Sequence, residues 1–355
     1  MSEPSLCIKV KKNYGEKTLI LANQLGISNR ELKVHQDANH IYVPLVRQPE
    51  KSELEKLKTQ TPDFEVTTKV FAKKQQRKTL AQLLENHLPP HLLDSLPRAL
   101  DIIGDIAILE VPSELKAHEN LLGEAILETH KSVRTVLAKT GAVSGTYRLR
   151  SLEVIAGEPR TNTIHKEYGC QYHVDVATAY FSPRLSHEHY RIASLVHESE
   201  TVVDLFAGVG PFAVLIAKKN ADVKVYAVDL NPEAVEFLKR NIRLNRVENR
   251  VAPVLGDANK VVAQRLMGVA DRVIMNLPEK AIEFVESACK AMKPSGGIVH
   301  YYEFIRLPDN MENAQKRFSE AVANAGRKVD EFLSAKNVRA TAPYEWQVVL
   351  DARII

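Results

Sequence analysis

The sequence predicts an α/β protein whose second half is a doubly wound, mostly parallel sheet of seven strands. From about residue 174 onwards, segments typical of buried strands alternate strictly with helical segments. A glycine-containing turn follows the first of these strands, and the next strands end in acidic or amide side chains. Ligands of such sheets bind beyond the carboxyl ends of the strands, so we expect the chemistry of this protein there.

Five segments of the second half have the composition of buried parallel strands, and a helical segment follows each of the first four. The strands are TVVDLFA, VKVYAVD, RVAPVLGD, DRVIMNLP and GGIVHYYEF. The helical segments are PFAVLIAKK, PEAVEFLKRNIRLN, ANKVVAQRLMG and KAIEFVESACKAM. A further helix, MENAQKRFSEAVANAG, then precedes two strand-like segments, KVDEFLSAKNV and EWQVVLDARII, which we expect to form an antiparallel hairpin at the sheet edge.

The first half of the chain is organised differently, and we predict two domains before the sheet of residues 172–355. Residues 1–65 contain two strand-like segments around a helix that ends at Gly26, which predicts a small α/β domain. The charged segment that follows the second strand is expected to be a surface helix and linker. Residues 73–171 predict an α+β middle domain with strand-like DIAILEV and RSLEVIAG around a long helix, ELKAHENLLGEAILETHKSVRTVL.

Composition excludes several classes of protein. The chain has 355 residues, of which 45% are hydrophobic, and this is enough for two or three domains with their own cores. Cys7, Cys170 and Cys289 are odd in number and far apart, which supports neither a disulfide framework nor a zinc site and suits a reducing cytosol. The polar N-terminus and the shortness of the most apolar stretch predict a cytoplasmic protein without signal peptide or membrane helix.

The distribution of charge indicates a nucleic-acid partner more clearly than the net charge of +4 does. Residues 129–151 and the segment VFAKKQQRK are basic and contain no acidic residue. One-signed segments of this kind attract a phosphate backbone, although acids from elsewhere in the fold could neutralise them. The basic residues are Lys131, Arg134, Lys139, Arg148 and Arg150 in the first segment and Lys73, Lys74, Arg77 and Lys78 in the second.

The turn after the first strand and the acid after the second predict a nucleotide-containing cofactor. Gly208 and Gly210 allow the backbone to turn tightly and to approach a ligand, and Asp229 follows about 20 residues later, where an acid can accept the hydroxyls of a ribose. This pattern alone also fits an NAD-dependent oxidoreductase. Asp204 before the glycines and Asp257 after the third strand favour another class, because together they resemble class I S-adenosylmethionine-dependent methyltransferases.

The fourth strand ends in Asn276-Leu277-Pro278-Glu279. In methyltransferases that act on amino groups, an aromatic residue at the place of Glu279 stacks on the target base. Its replacement here means that stacking comes from elsewhere or that the target is another kind of nitrogen. A ring nitrogen must lose a proton, which calls for a carboxylate base and a cation that holds the developing negative charge.

Five motifs then identify a family by their order. They are GTYRLRSLEVIAGEPRTNTIHKEYG, AYFSPRLSHE, DLFAGVGPF, VDLNP and NLPEKA. In this order they resemble the archaeal and eukaryotic tRNA (guanine-N1)-methyltransferases that act on guanosine 37, next to the anticodon. The resemblance covers roughly residues 140–355. It implies a Rossmann-like catalytic domain, an RNA-binding middle domain, a small N-terminal tRNA-docking domain, and tRNA as the partner of a monomeric enzyme.

The resemblance also implies roles for individual residues. Glu188 is the proposed base that removes the guanine N1 proton, Arg148 holds guanine O6, and Asn276 contacts the guanine and the region of the methyl donor. Tyr180, Pro183, Arg184 and His189 are expected to contact the tRNA. The family commonly has an arginine at the place of His189, so we expect its phosphate contact to be weaker or to depend on pH.

The methyl donor implied by the resemblance is S-adenosylmethionine, with S-adenosylhomocysteine as the product. No metal site is indicated by the sequence, and a requirement for Mg²⁺ stays open. Two of the expected cofactor residues, Asn231 and Asp257, could equally cap helices. The expected cofactor residues are Asp204, Phe206, Gly208, Gly210, Phe212, Asp229, Leu230, Asn231, Asp257, Ala258, Asn276, Leu277 and Pro278.

Four alternatives follow from the same residues. Within the same fold they are a wyosine-pathway methyltransferase that acts on a later tricyclic base and a transferase that moves the aminocarboxypropyl group of the cofactor. The acid that follows the Asn276-Leu277-Pro278 element favours the plain guanine enzyme over both. Outside this group, the alternatives are an NAD-dependent oxidoreductase and a catalytically silent tRNA-binding protein.

Overall fold

The structure is a computed structural model, and it describes residues 2–61, 63–74, 78–141, 145 and 147–355. The chain divides into two compact units, Met1–Lys78 and Thr79–Ile355. Arg77 of the second basic segment and the threonine at position 146 in the GTYRLR motif lie outside the described residues.

The N-terminal unit is a four-stranded antiparallel sheet in the order β2-β3-β1-β4, with two helices. Its core contains Ile8, Val43 and Leu57, the last from the charged helix that we predicted to be a linker. The boundary predicted at residue 65 is wrong, because β4 pairs with β1 along nine residues and keeps the chain in this sheet to Ala72. The elements are β1 (Ser2–Lys11), α1 (Gly15–Gln24), β2 (His35–Gln36), β3 (His40–Pro44), α2 (Lys51–Gln60) and β4 (Phe64–Ala72).

The second unit begins with a four-stranded sheet in the order β5-β6-β7-β8, in which only the β6–β7 pair is parallel. The predicted long helix is too long, because it ends at Thr129 and residues 135–139 form a strand instead. That strand is buried in the sheet, where β-branched residues such as Thr135 and Val136 pack well. The elements are α3 (Leu80–Leu84), α4 (Pro90–Asp94), β5 (Leu100–Ile103), β6 (Ile106–Leu109), α5 (Glu119–Thr129), β7 (Thr135–Lys139) and β8 (Leu152–Gly157).

A hairpin of two strands, β9 (Asn162–Glu167) and β10 (Cys170–Asp175), connects this sheet to the last one. The boundary predicted between residues 171 and 172 falls inside β10, so it would cut the pairing of the hairpin. Asn241 and Asn245 fasten β10 to the following part of the chain, since their side chains hydrogen-bond the backbone of residues 171 and 173.

The last sheet has seven strands in the order β13-β12-β11-β14-β15-β17-β16. The pairs from β13 to β15 are parallel, and the last two pairs are antiparallel. The strands are β11 (Thr201–Asp204), β12 (Lys224–Asp229), β13 (Val251–Leu255), β14 (Arg272–Met275), β15 (Gly297–Arg306), β16 (Val329–Ala342) and β17 (Glu345–Ile354). The helices are α6 (Ser186–Leu195), α7 (Pro211–Lys219), α8 (Pro232–Asn245), α9 (Ala258–Val261), α10 (Val285–Ala291) and α11 (Met311–Asn324).

This topology confirms the predicted fold class, including the antiparallel hairpin of β16 and β17 at the sheet edge. Buried apolar residues lie on both faces of the central strands, as expected of a parallel sheet that helices cover on both sides. The order of strands reverses beside β11, so the crevice beyond its carboxyl end is the place where a ligand is expected. Over the parts of the chain that the structure describes, no helix is both long and apolar enough to cross a membrane.

Candidate active site

A cavity of about 290 Å³ lies beyond the carboxyl ends of β11, β12, β13 and β14. This is near the lower end of the range for small-molecule sites, roughly 300–1,000 Å³. Nine of the thirteen expected cofactor residues line it: Phe206, Gly208, Phe212, Asp229, Leu230, Asp257, Ala258, Asn276 and Leu277. The other four, Asp204, Gly210, Asn231 and Pro278, are not part of its lining.

The glycine turn is built around a contact between the first two strand ends. The backbone N–H of Gly208 donates to Oδ2 of Asp229 at 2.7 Å, and Gly208 has a φ of 55°. Gly210 has a φ of 93°, and a Cβ there would collide with Cδ1 of Leu238. Gly210 is therefore required for packing between α7 and α8, and Gly208 brings the backbone to the cavity.

Two buried carboxyl groups lie at these strand ends. Asp204 is fully buried, and its Oδ1 accepts only a long hydrogen bond of 3.4 Å from the backbone N–H of Phe206. Among the described residues, its Oδ2 has no hydrogen-bond partner. Burial, together with the nearby charge of Asp229, raises the pKa of Asp204 to about 7, and burial also raises the pKa of Asp229. A cationic ligand group would satisfy this arrangement.

The two residues that could cap helices do so. Oδ1 of Asn231 accepts from the backbone N–H of Glu233 at the start of α8, and its Nδ2 donates to the carbonyl of Thr178. Oδ1 of Asp257 accepts from the backbone N–H of Lys260 at the start of α9. Asp257 also lines the cavity. Asn231 does not, because it is buried, with 5% exposed, and its side chain is used in hydrogen bonds within the fold.

Glu279, which follows the Asn276-Leu277-Pro278 element, holds Arg148 at the cavity; Arg148 lies in the turn between β7 and β8. Oε1 of Glu279 accepts from Nη2 of Arg148 at 2.9 Å. The guanidinium of Arg148 lies 5.4 Å from the centre of the Tyr180 ring, within cation–π range. Nε of Arg148 is buried, and no described residue accepts a hydrogen bond from it. The arginine is thus held in place, and its buried Nε is a donor that a ligand could use.

A second, larger cavity of about 870 Å³ meets the first at a shared wall of Arg148, Tyr180, Phe181, Ser182 and Glu279. Its lining is rich in basic side chains, and it separates the middle sheet from the last sheet. The basic residues are Lys139, Arg148, Arg150, Arg184 and Arg339, and Pro183 also lines this cavity.

Acids neutralise part of this basic surface. Asp101 accepts from Nε of Arg184 at 2.6 Å and lies 3.8 Å from Nζ of Lys139. Burial, with the positive charge of Arg150 adding to it, lowers the pKa of Lys139. Arg134 is close to Glu158, at 3.6 Å. Acidic residues from elsewhere in the fold therefore neutralise part of the basic segment of residues 129–151. This is the alternative to a nucleic-acid contact that the sequence left open.

Glu188 lies on α6 and is not among the residues that line either cavity. The residue is 5% exposed, and its carboxyl group forms an ion pair with Arg191 and accepts a hydrogen bond of 2.8 Å from the hydroxyl of Tyr302. Arg191 in turn pairs with Asp351. The structure therefore brings Arg148, Asn276 and Tyr180 to one cavity wall but places the predicted base beside it, in a buried ion pair.

His189 is 2% exposed, which does not fit a phosphate contact at the surface. Its Nδ1 lies 2.7 Å from Oε1 of Glu167, and its ring packs edge-on against Phe212, with 4.6 Å between ring centres. Burial would raise the pKa of Glu167, but the His165 ring, 3.7 Å away, and the hydrogen bond from His189 outweigh burial and hold this pKa at about 2. Glu167 is thus a carboxylate that accepts from His189, whose ring forms part of the cavity wall.

The described ranges contain no cluster of three or more histidine, cysteine or acidic side chains that could hold a metal ion. Three residues at the site were not predicted from the sequence. They are Glu279, which is the partner of Arg148, and Arg339 and Gln347 of the C-terminal hairpin. The hairpin itself was predicted, but the register that turns these two side chains toward the site was not.

The doubly wound sheet, the glycine turn and the acids at its strand ends define a protein of the class I methyltransferase type. Comparison with known proteins makes this more specific. Three family models match consecutive parts of the chain: the tRNA methyltransferase 5 N-terminal domain at residues 7–53, the TYW2 N-terminal domain at 80–161 and the TRM5/TYW2 methyltransferase domain at 163–330.

The chain is 39% identical to the tRNA (guanine(37)-N(1))-methyltransferase Trm5b of Pyrococcus abyssi over 350 residues, 99% of each chain. A crystal structure of wild-type Trm5b from Pyrococcus abyssi matches with a TM-score of 0.72 at 37% identity, over 99% of both chains. A solved complex of aTrm5 and tRNALeu matches with a TM-score of 0.69 at 32% identity, over 99% and 100%.

A shorter relative is the tRNA 4-demethylwyosine(37)-methyltransferase Taw21 of Saccharolobus solfataricus. It is 34% identical over 257 residues, which are 72% of this chain and 94% of that one. The chain belongs to the TRM5/TYW2 methyltransferase family. The predicted family and enzyme class are therefore confirmed.

Proposed function

We propose that this protein transfers a methyl group from S-adenosylmethionine to N1 of guanosine 37 in tRNA. The observation that carries the proposal is the match to Trm5b of Pyrococcus abyssi over 99% of both chains. That match includes the N-terminal unit, whereas the match to Taw21 covers only 72% of this chain, although it covers 94% of Taw21. A wyosine-pathway methyltransferase or an aminocarboxypropyltransferase of the same fold is the alternative.

The residues of the first cavity fit S-adenosylmethionine. The carboxylate of Asp229 suits ribose hydroxyls, and Asp257 suits an adenine amino group. Asp204 is not part of the lining, but the next two residues are, and its Oδ2, which has no partner among the described residues, would suit an ammonium group that reaches it. Phe206, Leu230 and Leu277 supply apolar contact area for the rest of the molecule. When bound, the cofactor supplies an electrophilic methyl group on a sulfonium and becomes S-adenosylhomocysteine. No described cluster suggests a site for Mg²⁺.

The shared wall of the two cavities is the place that we assign to the target base. Arg148 has a buried Nε without a partner among the described residues, and guanine O6 is an acceptor that gains negative charge as N1 loses its proton. Tyr180 lies beside Arg148 and offers an aromatic face for the base. The stacking that Glu279 cannot provide would come from Tyr180, while Glu279 orients the arginine.

Glu188 remains the residue that we propose as the base. Its carboxyl group contacts Arg191 and the hydroxyl of Tyr302 close to the cavity, and a carboxylate is the kind of group that can take the N1 proton. The carboxylate has to turn from Arg191 toward the cavity, and its neighbours Leu185 and His189 already line that cavity. Arg191 keeps Asp351 as a partner if Glu188 leaves, so this movement does not strand a buried charge.

Replacing Glu188 with Gln should lower the single-turnover rate of methyl transfer by about 10²-fold or more. Affinities for tRNA and S-adenosylmethionine should stay within a few-fold of the parent, because the variant keeps the shape of the side chain. Tyr302→Phe is the control, since it removes one hydrogen bond to Glu188 without removing the carboxylate. Equal single-turnover rates for parent and Glu188→Gln would exclude Glu188 as the base.

tRNA is the partner that the basic cavity and the solved aTrm5–tRNALeu relative support. We infer that the N-terminal unit docks the tRNA away from the anticodon, and that the protein acts as a monomer. We also infer a cytoplasmic location, because the cysteines are buried and free, as in a reducing compartment.

One labelling experiment separates these functions. The protein is incubated with a tRNA transcript and S-adenosylmethionine labelled either in the methyl group or in the carboxyl carbon. We expect the methyl label alone to enter the tRNA, and none to enter a transcript with adenosine at position 37. Transfer of the carboxyl label would identify an aminocarboxypropyltransferase, and absence of both labels would contradict the proposal.

A further inference from the structure

A row of three hydrogen-bonded side chains runs from the C-terminal hairpin to Asn276. Arg339 on β16 and Gln347 on β17 are directly opposite each other in the antiparallel register, so their side chains share one face of the sheet. Nε of Arg339 donates to Oε1 of Gln347 at 2.8 Å. Nε2 of Gln347 donates to Oδ1 of Asn276 at 3.1 Å, and Gln347 is 1% exposed.

The arginine fixes the direction of every hydrogen bond in this row. A guanidinium can only donate, so the atom of Gln347 that faces Arg339 must be its carbonyl oxygen. The amide nitrogen of Gln347 then faces Asn276 and has to find an acceptor there. Asn276 meets that need only with its carbonyl oxygen, which leaves its Nδ2 directed elsewhere. The two ends of the Asn276 carboxamide, which are nearly equal in shape, are therefore distinguished by Arg339 through Gln347.

The same arginine also contacts the substrate side of the site. Nη1 of Arg339 donates to the hydroxyl of Ser182 at 3.0 Å, and its Nη2 lies 3.4 Å from the hydroxyl of Tyr180. Arg339, Tyr180 and Ser182 line the larger cavity, and Asn276 lines the cofactor cavity. The row therefore links the two cavities at their shared wall through one almost fully buried glutamine.

We propose that Gln347 and Arg339 are positioning residues for methyl transfer, which fix the end of the Asn276 carboxamide that faces the reacting groups. This inference rests on the proposed role of Asn276 at the active site. If the carboxamide of Asn276 is turned by 180°, its N–H donor and its carbonyl acceptor exchange places, and each then faces the wrong partner. Such a mismatch exchanges a hydrogen bond for a repulsion between like dipoles, which is worth about tenfold or more in rate.

Gln347→Glu tests the direction of the row while preserving its shape. The glutamate still accepts from Arg339, and more strongly, but it has no N–H to donate to Asn276. At saturating tRNA and S-adenosylmethionine, we expect a single-turnover rate about tenfold or more below that of the parent. Gln264→Glu is the matched control, since Gln264 is exposed and the charge change is the same; its rate should equal that of the parent.

Arg339→Met is the second variant, in case Gln347→Glu changes the unfolding midpoint. It removes the donor that polarises Gln347 but leaves the buried glutamine itself intact. The carboxamide of Asn276 should then occupy both orientations, and the expected loss of rate is smaller than that of Gln347→Glu.

Both variants are repeated in an Asn276→Ala background, because a positioning residue has no effect without the group that it positions. We expect Gln347→Glu and Arg339→Met to change the rate of Asn276→Ala by less than about twofold. If they lower that rate by the same factor as in the parent, Gln347 acts elsewhere and the inference is wrong. A parent-like rate for Gln347→Glu overturns it as well. A parent-like rate for Asn276→Ala itself would instead refute the proposed role of Asn276, and the inference with it.

Discussion

Asp204 shows at the scale of one residue how this chain departs from what stability alone would select. Its carboxyl group is fully buried at the end of β11, with one oxygen unpaired among the described residues. A buried polar group without a partner costs about 1–3 kcal/mol of stability. A residue with this cost is best explained by a ligand that satisfies it, which is why Asp204 supports the proposed cofactor site.

Asp204→Asn should therefore stabilise the protein at neutral pH and weaken its affinity for S-adenosylmethionine. The folded-state pKa of Asp204, about 7, lies above that of an unfolded chain, about 3.9. The parent thus loses stability as the pH rises from about 4 to 7, by up to about 4 kcal/mol, and the variant does not. Urea unfolding at pH 5 and pH 8 measures this. The free energy of unfolding of the variant should exceed that of the parent by more at pH 8 than at pH 5.

Calorimetry with S-adenosylmethionine at pH 8 supplies the other half of this test. A neutral amide can accept a hydrogen bond from an ammonium group but cannot form an ion pair with it, so the variant should bind more weakly. A difference in stability that does not change with pH, together with unchanged cofactor affinity, would show that Asp204 has neither the raised pKa nor the role.

Arg148 and Glu279 form a pair in which one residue acts and the other orients it. Arg148→Ala removes the proposed donor to guanine O6, and loss of such a donor lowers rates by about 10²–10³-fold. Glu279→Gln keeps an acceptor for Arg148 and should lower the rate by less than about tenfold. Single-turnover methylation of a tRNA transcript measures both. A larger effect of Glu279→Gln than of Arg148→Ala would reverse the two roles.

The sequence can predict the position of a side chain where the backbone dictates it. Asp204, Asp229 and Asn276 could be placed together because the carboxyl ends of neighbouring parallel strands meet at one edge of the sheet. The orientation of Glu188 could not be predicted in this way. It depends on Arg191 and on Asp351 of the last strand, which are distant in sequence or outside any motif.

At the scale of elements, a chain of buried polar groups joins α6 to three strands of the last sheet. Arg272 on β14 donates to Glu200 and to Nε2 of His300, and Nδ1 of His300 faces Asp351 on β17. Because arginine can only donate, Nε2 of His300 is an acceptor and its proton is on Nδ1. Burial lowers the pKa of His300, which agrees with this neutral form. The chain continues from Asp351 through Arg191 to Glu188.

Arg272→Ala should destabilise the protein by about 3 kcal/mol, because it leaves the other members of this chain buried without their donor. Arg272→Met should be less damaging, since it refills most of the volume. The unfolding midpoint in urea measures both. Arg243→Ala, at an exposed position of α8, is the control and should stay within about 0.5 kcal/mol of the parent. Equal midpoints for parent and Arg272→Ala would show that this ion pair adds no stability.

The elements also show where periodicity fails as a guide. The alternation of strands and helices in residues 201–355 was predicted almost completely, because each segment is long and strongly patterned. The predicted long helix of the middle domain was wrongly extended to residue 137, into the strand Thr135–Lys139, because short apolar segments fit a helix or a strand equally well. The pairing of Arg339 with Gln347 depends on a register with several shifts, which no local pattern encodes.

At the scale of the whole molecule, the N-terminal unit separates this chain from its shorter relatives. The unit of Met1–Lys78 has its own sheet and core, and a family model of the tRNA methyltransferase 5 N-terminal domain matches within it. Our prediction that residues 1–65 form the unit was wrong because a polar helix, α2, hid the return of the chain into β4. A deletion that starts inside β4 would leave part of a strand behind.

A variant that starts at Thr79 should stay folded and bind S-adenosylmethionine as the full chain does. If the N-terminal unit docks tRNA, it adds to affinity through effective concentration without changing the chemistry. The variant should then methylate full-length tRNA with a raised KM and an isolated anticodon stem-loop as well as the full chain does. Steady-state kinetics on both substrates measure this. An unchanged KM for full-length tRNA would exclude the docking role.

The identity of the modified nucleoside tests the account most directly. A tRNA transcript is incubated with the full-length protein and S-adenosylmethionine, digested to nucleosides, and analysed by liquid chromatography with mass spectrometry. We predict a single product, guanosine with one added methyl group that co-elutes with 1-methylguanosine, and its loss when position 37 is changed. A methyl group at another position or atom, or a mass that corresponds to an aminocarboxypropyl group, would contradict the account.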